Sequence, residues 1–244
     1  MKSRNFPIGD NFKVYKHKYT NFFIESNREC EKKVILPTNQ KQRETFRMNR
    51  LAIKMQKYHV VLGSASPRRR ELLAGLNIPF DIVVKDTTEK VDEHLSPEKI
   101  SESIAEQKFE AFLPDLQEND FLITADTLVY LDGKTMGKPK SADDARNMIR
   151  ALSGKTHSVV TAVCIGTVRE RRVFSVRSNV TFASLNGEDI DYYVETYKPF
   201  DKAGAYGVQE WIGYMGIEKI EGSFYNVMGL PVQKLYTELL NYEE

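Results

Sequence analysis

Cysteine and tryptophan are scarce in this sequence, which has two Cys and one Trp in 244 residues. Cys30 and Cys164 stand in unrelated contexts, without C-x-x-C or Cys/His spacing. We therefore expect neither a disulfide framework nor a zinc site, and a reducing cytoplasm as the compartment. No apolar run approaches the roughly 20 residues that span a bilayer, and no signal-peptide stretch is present, so no membrane partner is expected. The net charge of +1 also gives no global reason to expect a polyanionic partner.

Charge is nevertheless unevenly distributed along the chain. Residues 1–55 hold 13 Lys/Arg and 5 Asp/Glu, net +8, whereas residues 56–244 hold 22 and 29, net −7. We predict a basic, poorly ordered N-terminal extension at 1–55, with a short strand at 19–24 and a basic helical stretch at 43–55. Residues 56–244 form the predicted folded domain. Two interpretations of the extension are open: a leader without a role in the fold, or an arm that contacts nucleic acid or a membrane surface.

The second part of the chain alternates between strand and helix patterns. Ser66 and Ser96 stand at N-cap positions and are each followed by Pro, which is typical of a helix start. Asp132-Gly133 predicts a hairpin turn. Because the alternation has no strict β-α-β order, we predict an α/β fold with a mixed sheet and helices packed on it. Strands are predicted at 59–62, 80–84, 122–126, 128–131, 159–168 and 173–184, and helices at 67–73, 96–112, 141–154, 189–196 and 230–240.

The sharpest local signal lies at residues 63–73. Arg68, Arg69 and Arg70 occupy the first turn of a predicted helix, where each cation opposes the helix dipole at a cost of roughly 0.3–1 kcal/mol. The small residues before the helix leave backbone N–H groups open, and arginine side chains match phosphate oxygens. The stretch alone permits two interpretations, a polyphosphate site or a solvated basic helix end partly neutralised by Glu71. The Walker pattern GxxxxGK[ST] is absent.

Further candidates lie downstream. Asp126 ends an apolar strand, where a carboxylate can hold a divalent ion, take a proton from water, or cap a turn. Lys138 lies in a Gly-Lys-Pro turn, from which it can reach a phosphate or the solvent. Gln209 follows a segment rich in Gly and Ala, and its amide suits the edge of a pyrimidine, although a surface position fits equally. His157 has no Ser/Asp partners, so we expect no general base there, and Trp211 and Tyr214 are assigned to packing.

Six motifs occur in a fixed order from about Val60 to the C-terminus. Each is weak alone, but the ordered set is specific, and it resembles the Maf family of nucleotide pyrophosphatases. The family usually has Ala at the position of Gly63 and lacks residues 1–55. The motifs are Ser64-Ala65-Ser66-Pro67-Arg68-Arg69, Ala125-Asp126-Thr127, Gly137-Lys138-Pro139, Leu152-Ser153-Gly154-Lys155-Thr156-His157, Asp201-Lys202-Ala203-Gly204-Ala205-Tyr206-Gly207 and Val227-Met228-Gly229-Leu230-Pro231.

The resemblance implies a curved mixed sheet with flanking helices and two lobes around a cleft, as in inosine-triphosphatase folds. It implies hydrolysis between the α- and β-phosphates of a nucleoside triphosphate, with a divalent metal, Mg²⁺ or Mn²⁺. A homodimer is compatible with it, and no stable nucleic-acid complex is expected. By matching positions, Asp126 is the expected catalytic acid/base and, with Glu89, the metal ligand. The resemblance assigns Ser64, Arg69, Lys138 and Lys202 to phosphate binding, and Glu89 and Lys108 to the cleft.

Within the family, Arg68, Thr127 and Gln209 match the branch that hydrolyses dTTP and UTP rather than 7-methyl-GTP. Two alternatives are carried forward. One is a pyrophosphatase that removes modified or non-standard nucleotides. The other is a regulator of cell division or septum formation that binds nucleotides or nucleic acid, with the basic extension as its contact surface.

Overall fold

The computed structural model describes residues 48–92 and 94–243 in full, and the backbone of Lys13–Tyr15. The strand predicted at 19–24 lies outside these residues. Among the described residues, no helix combines the length and the apolar character needed to cross a bilayer.

A curved mixed sheet organises the described part of the chain. Its strand order is β1-β3-β2-β4-β6-β7-β8, with β5 paired to β4. Strand β2 runs parallel to both β3 and β4, whereas β4, β6, β7 and β8 pair antiparallel in turn. The predicted α/β class with a mixed sheet is confirmed. The strands are β1 (Lys13–Tyr15), β2 (His59–Leu62), β3 (Asp81–Val84), β4 (Asp120–Leu131), β5 (Lys134–Met136), β6 (Thr156–Gly166), β7 (Arg171–Phe182) and β8 (Ile217–Glu221).

Helices cover both faces of this sheet. The predicted caps at Ser66 and Ser96 are confirmed, since each hydroxyl accepts a bond from the backbone N–H three residues on. The Ser141 hydroxyl caps the next long helix in the same way. The segment 211–228 had no predicted element, because its helices are short and its one strand lacks a run of alternating residues. The helices are α1 (Arg50–Met55), α2 (Pro67–Ala74), α3 (Pro97–Phe112), α4 (Ala142–Leu152), α5 (Gly187–Tyr197), α6 (Trp211–Gly216), α7 (Phe224–Met228) and α8 (Val232–Leu240).

Helix α1 moves the start of the folded unit towards the N-terminus. Leu51 and Met55 are 0% and 2% exposed and belong to the main hydrophobic core. Asn49 caps the helix by accepting a bond from Ala52 N at 2.8 Å, and its amide donates to Leu76 O at 3.1 Å. The predicted boundary at residue 55 therefore falls after a helix that belongs to the domain.

Strand β4 positions the site. It runs without interruption through residue 127, where the sequence had suggested a break. Its pairing with β2 ends at Ile123, and its pairing with β5 begins at Val129. Within the described part of the chain, the β4 edge between these two points has no strand beside it. Successive side chains of a strand point to opposite faces, so Asp126 faces away from its neighbours Ala125 and Thr127.

Candidate active site

The tip of helix α2 lies against the open edge of β4. Pro67 and the Ser66 cap start the helix directly after β2, which directs Arg69 across the strand. The Arg69 guanidinium donates to Ala125 O at 2.8 Å, to Thr127 Oγ1 at 3.0 Å and to Gly229 O at 2.9 Å. Two of these bonds hold the cation to the residues that precede and follow Asp126 in strand β4.

Two N–H groups of Arg69 remain after these three bonds. One of them approaches Ser64 Oγ at 3.5 Å, the outer limit of a hydrogen bond. Burial lowers the pKa of Arg69, while the charge of Asp126 acts in the opposite direction. A guanidinium held this firmly keeps its charge and offers its remaining N–H groups to an anion. The structure thus brings Ser64, Arg69 and Thr127 together.

A pair of carboxylates shares one ammonium group on the α3 side of β4. Lys108 Nζ lies 2.6 Å from Asp126 Oδ1 and 3.0 Å from Glu89 Oε1. Asp126 is 9% exposed, and Lys108 comes from helix α3, which packs on this face. The residues that the resemblance placed in the cleft therefore meet in space, although Glu89 lies on a loop and Asp126 on a strand.

A third cluster joins Arg68 to Lys202. Arg68 Nη1 lies 2.7 Å from Asp201 Oδ2, and Lys202 Nζ lies 2.8 Å from Asp201 Oδ1. Lys202 Nζ is also 3.0 Å from Glu210, which in turn accepts a bond from the Tyr193 hydroxyl. Burial alone would raise the pKa of Asp201, but bonds from Lys202 and Arg68 hold that pKa below its ordinary value. Lys202 itself is only 7% exposed.

Lys138 differs from Lys202 because its side chain is exposed. Its turn is fixed by a bond from Gly204 N to Gly137 O at 3.0 Å. Gly204 has a φ of +69°, and an added Cβ would lie 3.0 Å from Val129. The loop that carries Gly204 and Lys202 therefore packs tightly on β4. The two loops that carry Lys138 and Lys202 are therefore attached to each other.

Gln209 lines a cavity of about 430 Å³. Among the described residues, its Oε1 is a buried acceptor without a hydrogen-bond partner. Tyr214 also lines this cavity and is 86% exposed, so it lies at the rim, while Trp211 packs against Tyr192 with ring centroids 4.9 Å apart. Gln209 thus lies at the wall of this cavity, and its carbonyl oxygen is buried without a partner among the described residues.

His157 lies away from these clusters. Its Nε2 bonds to the Tyr206 hydroxyl at 2.7 Å, and burial lowers its pKa to about 4. A neutral, buried imidazole in an aromatic group with Phe182 and Tyr206 packs the core.

Several residues of the site have no assignment from the sequence. Asp201 and Gly229 belong to recognised motifs, but the contact of the Gly229 carbonyl with Arg69 joins segments 160 residues apart. Glu210 and Tyr193 meet only after helix α5 packs against the loop that follows it. Gln107 contacts the Glu89 loop from helix α3. No local sequence pattern predicts such contacts, because each depends on tertiary packing.

A basic helix tip and paired carboxylates thus lie at one open strand edge of a mixed sheet, an arrangement that suits the binding of a polyphosphate. Residues 59–242 match the family model described as Maf-like protein, so the chain belongs to the Maf-like family.

Relatives named dTTP/UTP pyrophosphatase share about half of their residues with this chain. The Porphyromonas gingivalis protein is 53% identical over 193 residues, which are 78% of this chain and 97% of the relative. The Phocaeicola vulgatus protein is 52% identical over 186 residues, 76% and 96% respectively. Among solved structures, the Ham1 protein of Staphylococcus aureus aligns with a TM-score of 0.42 and 17% identity, over 74% of this chain and 99% of that chain.

Proposed function

We propose that this chain hydrolyses dTTP and UTP to the nucleoside monophosphate and pyrophosphate. The observation that carries the proposal is the position of Arg69, whose guanidinium bonds to β4 on either side of Asp126. The Arg69 cation, which binds the phosphates in this proposal, and the Asp126 carboxylate, which activates water, are thereby held at the same strand. The names of the relatives give the same activity and the same two substrates.

The phosphates bind to groups that converge on the open edge of β4. Ser64, Arg69, the N-terminus of helix α2 and the exposed Lys138 supply donors and positive charge. Lys202 contributes indirectly, because its ammonium group is buried between Asp201 and Glu210 and has little exposed surface. It holds Asp201, and Asp201 holds Arg68 at the edge of the site.

Asp126 acts as the general base in this proposal. Lys108 bonds to its Oδ1 at 2.6 Å, which orients the carboxylate and leaves Oδ2 for a water molecule. Phosphoanhydride hydrolysis depends mainly on positioning and on cations that meet the developing negative charge. Asp126 orients the attacking water and takes its proton, and Arg69 and Lys138 stabilise the charge on the phosphates.

The pyrimidine preference rests on Arg68, Thr127 and Gln209. The unpartnered Oε1 of Gln209 is an acceptor for the ring N–H that uracil and thymine carry, and its amide N–H₂ can donate to a ring carbonyl. Thr127 Oγ1 is already bonded to Arg69 and to Thr161, at 3.0 Å each, so it acts by fixing Arg69. Cytosine lacks the ring N–H at the matching position and therefore binds less well.

A divalent cation, Mg²⁺ or Mn²⁺, fits the residues present. Asp126 and Glu89 already converge on one cation, the Lys108 ammonium, and Mg²⁺ needs only one or two carboxylates when substrate phosphates complete its shell. Within the described residues, no group of three or more His, Cys, Asp or Glu could hold a metal without such help. When bound, the metal polarises a phosphate oxygen and neutralises phosphate charge.

Charge balance also favours a metal. The cations Arg68, Arg69, Lys108, Lys138 and Lys202 exceed the carboxylates Glu89, Asp126, Asp201 and Glu210 by a single charge. A nucleoside triphosphate carries roughly −4 at neutral pH, which one surplus charge does not offset.

A panel of nucleoside triphosphates with Mg²⁺ or Mn²⁺ tests the proposal. Products are separated by chromatography, and we expect monophosphate and pyrophosphate from dTTP and UTP with kcat/KM at least about tenfold above that for the other canonical nucleotides. Release of orthophosphate, or equal turnover of every nucleotide, contradicts the assigned bond or the assigned substrates. Including 5-substituted and otherwise modified pyrimidine triphosphates separates a canonical substrate from a modified one.

A further inference from the structure

The loop between β3 and α3 carries Glu89 but has little regular structure of its own. Its residues, 85–96, contain no helix or strand among those that the structure describes. At its start, Lys85 bonds to Ala111 O at 2.7 Å. Near its end, Asp92 bonds to the backbone N–H of His94 at 3.0 Å, a contact that stays within the loop. Neither contact fixes Glu89, which lies between them.

The side chain of Gln107 holds the middle of this loop. Its Oε1 accepts a bond from Lys90 N at 2.8 Å, and its Nε2 donates to Lys90 O at 2.9 Å. One planar amide thus satisfies both backbone groups of a single residue, as a neighbouring strand would. The same Nε2 donates to Ser103 Oγ at 3.1 Å, which fixes the amide on the helix.

Two consecutive helix residues therefore bind two consecutive loop residues. Gln107 binds the backbone of Lys90, and Lys108 binds the carboxylate of Glu89. The Glu89 side chain is 38% exposed, and an ion pair with that exposure stabilises little against the entropy of ordering an irregular loop. The two bonds of Gln107 lie at the surface as well, but they hold the loop backbone itself, which the ion pair of the Glu89 side chain does not.

We propose that Gln107 is a positioning residue for hydrolysis, which keeps the Glu89 carboxylate beside Lys108 and Asp126. This inference rests on the proposed function, since it gives Glu89 a part in that reaction. Gln107 does not touch the substrate or the reacting atoms. It fixes the loop backbone from behind, so that Glu89 meets the metal and the phosphates without first ordering the loop.

The test uses Gln107→Met, which keeps the length of the side chain and removes both bonds. Loss of an outer partner of a metal-binding carboxylate typically costs about tenfold to a hundredfold in activity or metal affinity. We expect a loss of that size in kcat for dTTP, or a rise of that size in the Mg²⁺ concentration for half-maximal activity, with a smaller change in KM for dTTP. Gln233→Met is the matched control, because this exposed glutamine of helix α8 bonds to Thr237 of its own helix at 3.3 Å, and the variant should retain wild-type kinetics.

Gln107→Glu adds a pH signature that a purely structural role does not produce. A carboxylate accepts from Lys90 N–H but cannot donate to Lys90 C=O, whereas a protonated carboxyl group does both. The activity of this variant relative to wild type should therefore rise as the pH falls from about 6 to about 4, through the ordinary pKa of a glutamate carboxyl group. A ratio that stays constant with pH contradicts the proposed pair of bonds.

Combining Gln107→Met with Glu89→Ala shows whether Gln107 acts through Glu89. If it does, the second change causes no further loss in the Glu89→Ala background, because residues acting as one unit are not additive. Independent losses that multiply, or wild-type kinetics of Gln107→Met while Glu89→Ala is impaired, overturn the inference and leave the proposed function intact.

Hydrogen exchange tests the positioning itself, without any assay of activity. We expect faster exchange at residues 86–92 in Gln107→Met, and unchanged exchange in helix α3. Unchanged exchange in the loop overturns the inference. If the wild-type chain releases no pyrophosphate from any triphosphate, the proposed function fails, and the exchange result still decides whether Gln107 orders the loop.

Discussion

Gly63 shows how closely single residues around the phosphate-binding turn are fitted. A Cβ at this position would lie 2.9 Å from Thr124 Cγ2 and 3.1 Å from the Phe112 ring. The resemblance predicts Ala at this position, but in this chain Thr124 and Phe112 lie where a Cβ would be. The turn itself needs no left-handed backbone at this residue, and the constraint is one of packing.

We predict that Gly63→Ala destabilises the protein by about 1–3 kcal/mol, the usual cost of overpacking. Thr124→Ser removes the closest methyl group while keeping the hydroxyl that bonds to Ala105 O at 2.8 Å. The double variant should therefore be more stable than the sum of the two single changes predicts. Urea unfolding of wild type, the two single variants and the double variant measures this difference. If the two changes in unfolding free energy simply add, the contact with Thr124 is not the cause of the destabilisation.

Arg68 lies at the edge of the site, where its ion pair with Asp201 sets its direction. We expect Arg68→Ala to alter nucleotide preference by about tenfold while turnover of other nucleotides changes less. Asp201→Asn should shift the preference in the same direction, because it weakens the hold on the same guanidinium. Steady-state kinetics with dTTP, UTP and CTP measure both variants. Equal losses with all three nucleotides identify Arg68 as a general phosphate ligand.

At the scale of elements, local sequence signals were sufficient to predict where several helices begin and where one hairpin turns. Ser-Pro starts and the Asp132-Gly133 turn fix helices α2 and α3 and the β4–β5 hairpin, since caps and turns depend on a few neighbouring residues. The turn has φ values of 48° and 83°. Helix α6, strand β8 and helix α7 were missed, because they are short and are stabilised by packing on β7 and the core.

The candidate site was less predictable from local sequence than the helices and the hairpin. The motif resemblance pointed to most of its side chains, whereas composition and spacing alone left open that Asp126 caps a turn and that Lys138 faces the solvent. The partners of these side chains, such as Gln107 for Glu89 and Glu210 for Lys202, come from separate elements. Contacts of that kind leave no periodic pattern in a single sequence, so only the folded chain reveals them.

His59 joins three strands at the base of the sheet. From β2, its ring bonds to Asp81 of β3 and Asp120 of β4, both at 2.9 Å, and the bond to Asp120 followed by that to Asp81 raises its pKa to about 9. A pKa raised above its ordinary value of 6.5 means that the added stability is fully present below pH 6.5. It is then lost as the pH rises through 9.

We therefore predict that the free energy of unfolding declines between pH 6.5 and 9 more steeply in the wild type than in His59→Gln. The slope is well below the limit of about 1.4 kcal/mol per pH unit, because the imidazole is 37% exposed and solvent screens the two pairs. Denaturant unfolding at several pH values checks this. Parallel curves for the two proteins would show that the ion pairs add nothing.

At the scale of the whole molecule, helix α1 divides the basic N-terminal segment of residues 1–55 into a part that packs in the core and a part that precedes it. Residues 50–55 contribute Leu51 and Met55 to the core, while residues before Met48 add most of the segment's positive charge. A deletion intended to test the role of the extension must therefore stop before the helix.

Deleting residues 1–47 removes the three-residue edge strand β1, which pairs with β3, but none of the residues of the proposed site. We therefore predict that this deletion leaves dTTP hydrolysis within about twofold of wild type. Deleting residues 1–56 removes two buried side chains, at about 2–5 kcal/mol each, and should lower the Tm by at least about 8 °C. For both deletion variants, thermal unfolding gives the Tm and pyrophosphate release gives the rate of hydrolysis. Loss of hydrolysis in the shorter deletion would contradict this prediction and make the basic extension part of the catalytic unit.

The central claim is that Asp126 activates water beside a triphosphate held by the tip of helix α2. The most direct measurement compares dTTP turnover by wild type and Asp126→Asn, with pyrophosphate as the detected product. We predict a loss of about 10²–10⁴-fold in kcat with little loss of stability, in line with the contribution of a general base. Wild-type turnover in the folded Asp126→Asn protein would contradict the account.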